Sequence, residues 1–447
     1  MNKKIKATLS LILLMGFSIS SSKSLSQLEE RAIGEFLYRT SENRPHELIP
    51  LENYLLYELN RVLLTDNLKL DYPITLRIID TPILNAFASS GSFIFIHTGI
   101  MKQMPDVSEI MGVLCHEITH VKEHHIRRRF EANDEKNNQK MLILASLPLI
   151  VLLPGIGQLF YSMALDQTFL EQQQFNQKME YEADAGAVEL MSKSGFDTTK
   201  LISAFETLGR YSDIDFIPTH FTYYHTHPLT NDRINRINYL LKNVNISTGP
   251  ELKRAQLDYN LLLSRIHSPY EKMPFSQNEY FELIDSYKQA KENKEIYSLL
   301  KKYPHSIILR IDRLDECLSS KEWMNAQNFI LEYKNDTLWM NLPFIKNAQS
   351  IIDYETKTDK EFIRKYQPFL LQHQQPVDIY KLLAQKYQKI GNEQFYHLTQ
   401  AKYLLDCGYY QDALNQLTHP SIDKTSVYAE SIQHMADQMI LINKKLS

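Results

Sequence analysis

His116 and His120 stand four residues apart in the run GVLCHEITHVKEHH, and Glu117 lies beside the first of them. On an α-helix that spacing puts both imidazoles on one face, about one turn apart, so that two ring nitrogens can point at one place. Zn2+ suits such a pair, and a catalytic zinc site asks for one more protein ligand and an open position for water. Glu117 cannot share the histidines' direction fully, but it is placed to accept a proton from that water. The metal lowers the pKa of a water it binds from about 15.7 to about 7 and polarises a carbonyl, so peptide hydrolysis is the expected chemistry. A plain exposed helix fits five residues with two unconstrained positions too, and a third ligand has to decide between the readings.

EYEAD at 180–184 supplies a candidate. Glu180 and Asp184 are also four apart and share a helix face, whereas Glu182 lies roughly 200° around from Glu180. One carboxylate of the pair can bind metal while the other accepts an N–H from a ligating histidine and fixes its tautomer. Taken alone, the stretch reads as a solvent-facing acidic helix. Beside HEITH, the metal reading prevails.

HEITH followed about 60 residues later by EYEAD resembles the zinc metallopeptidase family that includes the CAAX prenyl-protein endopeptidases and the periplasmic proteases of outer-membrane quality control. Asn85, Ala86, Phe87 and Ala88, then Phe93 to Ile96 and Gly99, match that family's NAFA-type segment and following strand, and His227, Pro228 and Arg233 match its histidine-proline segment with a downstream arginine. The likeness covers about 60 to 245; the turn Ser90, Gly91, Ser92 departs from the usual glycine-rich form. The resemblance implies one Zn2+ per chain held by His116, His120 and Glu180, with Glu117 as general base and Asp184 in support. It implies His227 as a fourth, regulatory ligand that displaces water and keeps the enzyme latent, against a loop histidine bonded to backbone. Arg233 is implied to steady either a ligand carboxylate or the oxyanion. Phe93, Ile94, Phe95 and Ile96 are implied to form an edge strand beside the cleft, onto which an extended substrate pairs. His124 and His125 read as helix-face residues, not ligands.

The elements that must position these groups follow from periodicity. Leu25 to Leu37 and Leu51 to Leu64 have helical apolar spacing, and ITLRIID (74–80) and SFIFIHT (92–98) read as short strands. Asp106 with Glu109 forms a capping box that opens the HEITH helix, which the pattern carries to about Phe130. A second helix runs from Gln172 to Ser194 and stops at Gly195. Beyond about 280 the chain reads as amphipathic helices, and Gly408, Tyr410, Ala413 and Leu417, with Trp323 and Ala326 in a matching stretch, resemble degenerate tetratricopeptide repeats. A non-repetitive helical bundle is the other reading. The expected class is therefore α+β: a signal peptide (1–22), a mainly helical zincin-type metallopeptidase domain with a small β-sheet (23–248), a linker and connecting helix (249–279), and an all-α tetratricopeptide-like solenoid (280–447).

Lys3, Lys4 and Lys6 precede an apolar stretch from Ala7 to Ile19 and then small residues, the pattern of a secretory signal peptide. About 13 apolar residues fall short of the roughly 20 a membrane anchor needs. Three cysteines are too few and scattered for a disulfide framework, and the periplasm is the expected location. A formal net charge of -4 gives no reason to expect nucleic acid as a partner. Residues 141–165 carry no charge and match a transmembrane helix in length. Yet His116 and His120 precede this segment and Glu180 follows it, so one crossing would part ligands of a single ion by roughly 30 Å. With Pro148, Pro154, Gly155 and Gly157 inside it, the segment reads as a broken helix or hairpin beside the active site or lying against a membrane face.

Within the family the resemblance is strongest to the periplasmic β-barrel assembly-enhancing proteases, which join this catalytic domain to C-terminal repeats. That implies degradation of misfolded or stalled outer-membrane proteins, help with their assembly, and contact with the β-barrel assembly machinery through the repeats. Two other readings stand beside it: a repeat-domain chaperone or scaffold with a latent or structural zinc site, and a general periplasmic peptidase. Glu117 argues against a purely structural site, which needs no base.

Overall fold

The computed structural model describes residues 48–131, 169–210, 230–242, 249–266, 278–372, 376–407 and 409–446, with isolated positions that include Glu30, Arg31, Tyr223 and His227. The leader 1–22, most of the helix expected over Leu25 to Leu37, the segment 141–165 and Pro228 lie outside the described residues. Among the described residues no helix is long and apolar enough to cross a membrane. Two compact units emerge, Ser24–Glu316 and Cys317–Ser447.

The first unit runs α1 (Ile49–Thr65), β1 (Thr75–Ile79), β2 (Ala86–Ser89), β3 (Phe93–His97), α2 (Thr98–Gln103), α3 (Val107–Lys122), α4 (His125–Glu131), α5 (Phe169–Lys193), α6 (Lys200–Arg210), α7 (Asn231–Leu241) and α8 (Pro250–Ile266). Helices α9 (Asn278–Glu292), α10 (Ile296–Lys302) and the start of α11 (Ile307–Ser319) belong with it. Asp258 on α8 ties them in by accepting from Ser306 Oγ and from the backbone N–H groups of Ile307 and Ile308.

The sheet has the order β1-β3-β2, with β1 parallel to β3 (Thr75 opposite Phe93) and β2 antiparallel to it (Ala86 opposite Ile96). This corrects one expectation. Phe93, Ile94, Phe95 and Ile96 form the central strand, buried along its whole length, and both of its hydrogen-bonding edges are taken. An unbroken apolar run is what a strand covered on both faces requires, and of the two edge strands, β1 and β2, it is β2 that lies beside Glu117. The β2–β3 turn places Gly91 at φ 76° and Ser92 at φ 65°. A Cβ on Gly91 would lie 2.6 Å from Arg31 Cα, so both backbone sign and space call for glycine there.

Helix α3 opens as expected: Asp106 Oδ1 accepts from Ser108 N at 2.8 Å, and Asp106 N donates back to Glu109. It does not reach Phe130. The chain breaks after Lys122, where His124 adopts φ 51°, and restarts as α4 at His125. Helix α5 ends in a Schellman turn, with Gly195 at φ 75° and Phe196 N donating to Met191 O at 3.0 Å. The two helices meet where Gly186 of α5 faces Thr119 of α3; an added Cβ would be 2.5 Å from that side chain. Cys115 is buried in α3, and burial pushes its thiol up to about 12.

The second unit is helical: α12 (Trp323–Glu332), α13 (Thr337–Met340), α14 (Pro343–Thr356), α15 (Asp359–Tyr366), α16 (Val377–Lys389), α17 (Glu393–Asp406), α18 (Tyr410–Leu417) and α19 (Val427–Leu446). Tyr410, Ala413 and Leu417 pack with Leu398, Ala401 and Ile432 in one apolar cluster. Ala326 is likewise buried, while Trp323 is only partly so.

Candidate metal centre

The packing of α3 on α5 carries Glu180 to the histidine face of HEITH. Glu180 Oε2 lies 3.2 Å from His116 Nε2, Glu180 Oε1 lies 3.6 Å from His120 Nε2, and the two histidine Nε2 atoms are 3.0 Å apart. His227 comes in from the stretch ahead of α7, its Nδ1 3.4 Å from His116 Nε2 and 3.0 Å from Glu180 Oε2. Donor atoms from all four residues lie within 4.8 Å of one another, and all four residues are buried.

Two observations test whether these residues fit a divalent zinc ion. Bonds of about 2.0–2.2 Å at tetrahedral angles hold ligand atoms about 3.4 Å apart, and the separations given above for His116, His120, Glu180 and His227 run from 3.0 to 3.6 Å, within a set spanning no more than 4.8 Å. Charge gives the second. Glu117 (1% exposed), Glu180 (2%) and Asp184 (2%) bring three carboxylates into the interior against one guanidinium, that of Arg233 (1%). With neutral imidazoles this leaves a deficit of two positive charges in a place where each uncompensated ion costs several kcal/mol. A divalent cation cancels it.

Without a metal, the protonation tendencies show where that positive charge is wanted. Burial holds His120 well below its usual range, and so neutral. Burial alone would also lower His116, but Asp184 and Glu180 push it up to about 9, so that without a metal it holds a proton that a bound cation would displace. Glu180 is disfavoured as an anion by burial, and the facing His227 together with the hydrogen bonds from His116 and His227 more than offsets this, holding it well below the carboxylate range.

Asp184 and Arg233 stand behind the cluster. Asp184 Oδ1 is 3.1 Å from His116 Nδ1, outside the angle of a straight hydrogen bond. Arg233 donates to both Asp184 oxygens, Nε to Oδ2 at 2.8 Å and Nη2 to Oδ1 at 2.7 Å. Its Nη1 donates to His227 O at 3.2 Å and lies 3.2 Å from Glu180 Oε2. The guanidinium is thus spent on carboxylates and the His227 backbone, and Thr230 caps the helix that presents it. Of the two EYEAD carboxylates, then, Glu180 joins the donor set and Asp184 sits behind His116.

Glu117 points the other way along the cleft. Its Oε2 accepts from Ala88 N on β2 at 2.8 Å, while Oε1 lies 3.5 Å from His227 Nε2 and accepts no hydrogen bond among the described residues. Residues 85 and 97 form a hydrogen-bonded pair of the β2–β3 ladder, so Ala86 and Ala88 direct their main-chain groups away from β3, toward Glu117.

Sequence reasoning missed two contacts. The Tyr223 ring stacks on His227 with centroids 4.5 Å apart, and Tyr223 O accepts from His227 N at 2.8 Å, a helix-like four-residue spacing that could have been noticed. His125, read as a helix-face residue, is instead buried (1% exposed), with Nδ1 2.7 Å from His120 Nδ1. His124, by contrast, stays on the surface side, 3.9 Å from Asp71 Oδ2.

Residues 52–241 match the family model described as Peptidase family M48. The chain is 26% identical over 234 residues to the Beta-barrel assembly-enhancing protease of Escherichia coli (strain K12), covering 51% of this chain and 47% of that one. It is 27% identical over 229 residues to the protein of the same name from Yersinia pestis, covering 50% and 46%. To the Mitochondrial metalloendopeptidase OMA1 of Arabidopsis thaliana it is 27% identical over 146 residues, covering 32% and 28%. The chain spans about half the length of the curated bacterial relatives it matches.

Proposed function

We propose that the protein is a zinc-dependent endopeptidase of the peptidase family M48, whose model residues 52–241 match, with His116, His120 and Glu180 as metal ligands and Glu117 as general base. The observation that carries this reading is the buried cage itself: donors at tetrahedral spacing, a deficit of two positive charges, and one carboxylate oxygen left to receive a proton. Zinc, when bound, supplies a Lewis acid that polarises the scissile carbonyl and acidifies water. Glu117 Oε1 takes the proton of the attacking water while Oε2 remains held by Ala88 N–H. The same oxygen then delivers that proton to the departing amine, so the base is restored. Asp184, clamped by Arg233, keeps His116 turned toward the metal. An extended substrate pairs with the outward main-chain groups of Ala86 and with the carbonyl of Ala88 on β2, whose N–H stays with Glu117, which puts its backbone alongside Glu117. His227 fills the fourth position in the closed state and must leave for substrate to enter.

The name of the bacterial relatives, Beta-barrel assembly-enhancing protease, supports a role in the assembly of outer-membrane β-barrel proteins, and on this reading its substrates are those that are misfolded or stalled. On this reading the protein works in the periplasm after removal of residues 1–22. Its C-terminal helices act as a tetratricopeptide-like surface toward the β-barrel assembly machinery, and residues 141–165 make peripheral membrane contact. The buried Tyr410, Ala413 and Leu417 support the repeat assignment.

The test compares wild type with Glu117→Gln for bound zinc and for cleavage of an unfolded outer-membrane protein. Both proteins should hold one zinc, and only wild type should cleave. Cleavage by the variant would remove Glu117 from its role, and zinc in neither would end the proposal.

A further inference from the structure

The break after α3 has a chemical consequence. His124 in the left-handed region turns the chain so that His125, the first residue of α4, reaches back to the last histidine of HEITH. The two rings meet edge to face, with centroids 4.7 Å apart and planes at 76°. His125 Nδ1 is 2.7 Å from His120 Nδ1, and His125 Nε2 is 3.1 Å from Glu182 Oε2. Glu182, on the face of α5 away from Glu180, is held in turn by Arg128 Nη1 at 2.6 Å.

We infer that His125, backed by Glu182 and Arg128, is a positioning residue that fixes the tautomer and orientation of His120 for metal binding. The inference rests on the zinc reading above and deepens it.

The bonding allows one order of protons. His120 Nε2 faces the donor cluster, 3.0 Å from His116 Nε2, so a metal-binding His120 carries its single proton on Nδ1. Two nitrogens at 2.7 Å need one proton between them, so His120 Nδ1–H donates and His125 Nδ1 accepts. A neutral His125 then carries its proton on Nε2 and donates it to Glu182, which the guanidinium of Arg128 keeps in place. Carboxylate, imidazole and imidazole thus form a directed chain that ends at a metal ligand. His116 is served from behind by Asp184 and Arg233; His120 is served by His125, Glu182 and Arg128. Partners of this kind are worth about 10–100-fold in metal affinity.

The test is chelator competition for zinc on the full chain, read beside the melting temperature of the metal-free protein. Asn places an amide oxygen close to where His Nδ1 stood, so His125→Asn keeps the acceptor and loses only Glu182. His125→Leu loses both. Expected is a loss of zinc affinity of about 10–100-fold for His125→Leu, a loss under threefold for His125→Asn, and similar metal-free melting for the two. Equal losses in both variants, or none in His125→Leu, would overturn the inference. Should His125→Leu fail to fold, Glu182→Leu takes its place at a partly exposed position, with about a three- to tenfold loss expected and unchanged affinity counting against it. Wild type that binds no zinc at all would refute the metal reading instead, so the two failures are distinct.

Discussion

Gly186 is where the two ligand-bearing helices touch, and it offers a way to move the metal centre without altering any ligand. A Cβ there would lie 2.5 Å from both Thr119 Cγ2 and Oγ1 and 3.0 Å from Thr119 Cβ, against an ordinary contact of 3.4 Å or more. Gly186→Ala therefore demands about 0.9 Å of separation, the difference between 3.4 and 2.5 Å. Thr119 cannot readily step aside: it is buried, branched at Cβ, and bonded through Oγ1 to Cys115 O at 2.9 Å. Overpacking of this kind costs about 1–3 kcal/mol, and alanine's helix propensity offsets about 1 kcal/mol of it. The net loss of stability is then up to about 2 kcal/mol. The metal is less forgiving, because zinc bonds tolerate about 0.2 Å and the shift drives Glu180 away from His116 and His120. A loss of at least about tenfold in zinc affinity is expected, or 1.4 kcal/mol. Chelator competition and urea denaturation measure the two effects. Thr119→Ala in the same chain should recover much of both, since it removes the two closest atoms. A Gly186→Ala protein that is about 1 kcal/mol more stable, as a freely exposed helix glycine would give, with zinc affinity unchanged, would refute the packing argument.

Two further outcomes follow from particular side chains. His97 is buried on β3 beside Thr81 Oγ1, and burial pushes its pKa down from 6.5 to about 3. Below pH 6.5 the unfolded chain takes up a proton that the folded chain refuses, so stability falls with falling pH, by about 1.4 kcal/mol per unit until about pH 3. Urea denaturation at about pH 6.5 and pH 5 should show a loss of roughly 2 kcal/mol from this residue, absent in His97→Gln; equal slopes in the two proteins would contradict it. Replacing His227 by Ala should leave zinc bound and raise proteolysis at least about tenfold, if closed molecules outnumber open ones by ten to one. Unchanged or lower activity would remove the latency reading.

HEITH and EYEAD were legible because helical spacing is local: a four-residue interval fixes a shared face whatever the fold around it. The capping box at Asp106 and the stop at Gly195 were legible for the same reason. Which EYEAD carboxylate joins the donor set was not legible from spacing, and only the family resemblance pointed to Glu180; in the fold Arg233 clamps Asp184 and leaves Glu180 to the histidines. β2 gave no strand signal because AFAS is only four residues, three of them small, mostly buried and without alternation. FIFIH reads as a strand, but its central place follows only from pairing with β1 and β2. The break after Lys122 escaped notice because no glycine or proline marks it; a histidine takes the left-handed conformation instead. His125 was misjudged as a consequence, because an unbroken helix would have carried it past His120.

Anomalous diffraction at the zinc edge tests the central claim most directly. Among the described residues a second group, Glu30, Asp71 and His124, could also gather a metal, so position is as informative as presence. The expected result is one strong peak about 2.0–2.2 Å from His116 Nε2, His120 Nε2 and a Glu180 carboxylate oxygen. No peak there, or zinc only beside Glu30, Asp71 and His124, would contradict it.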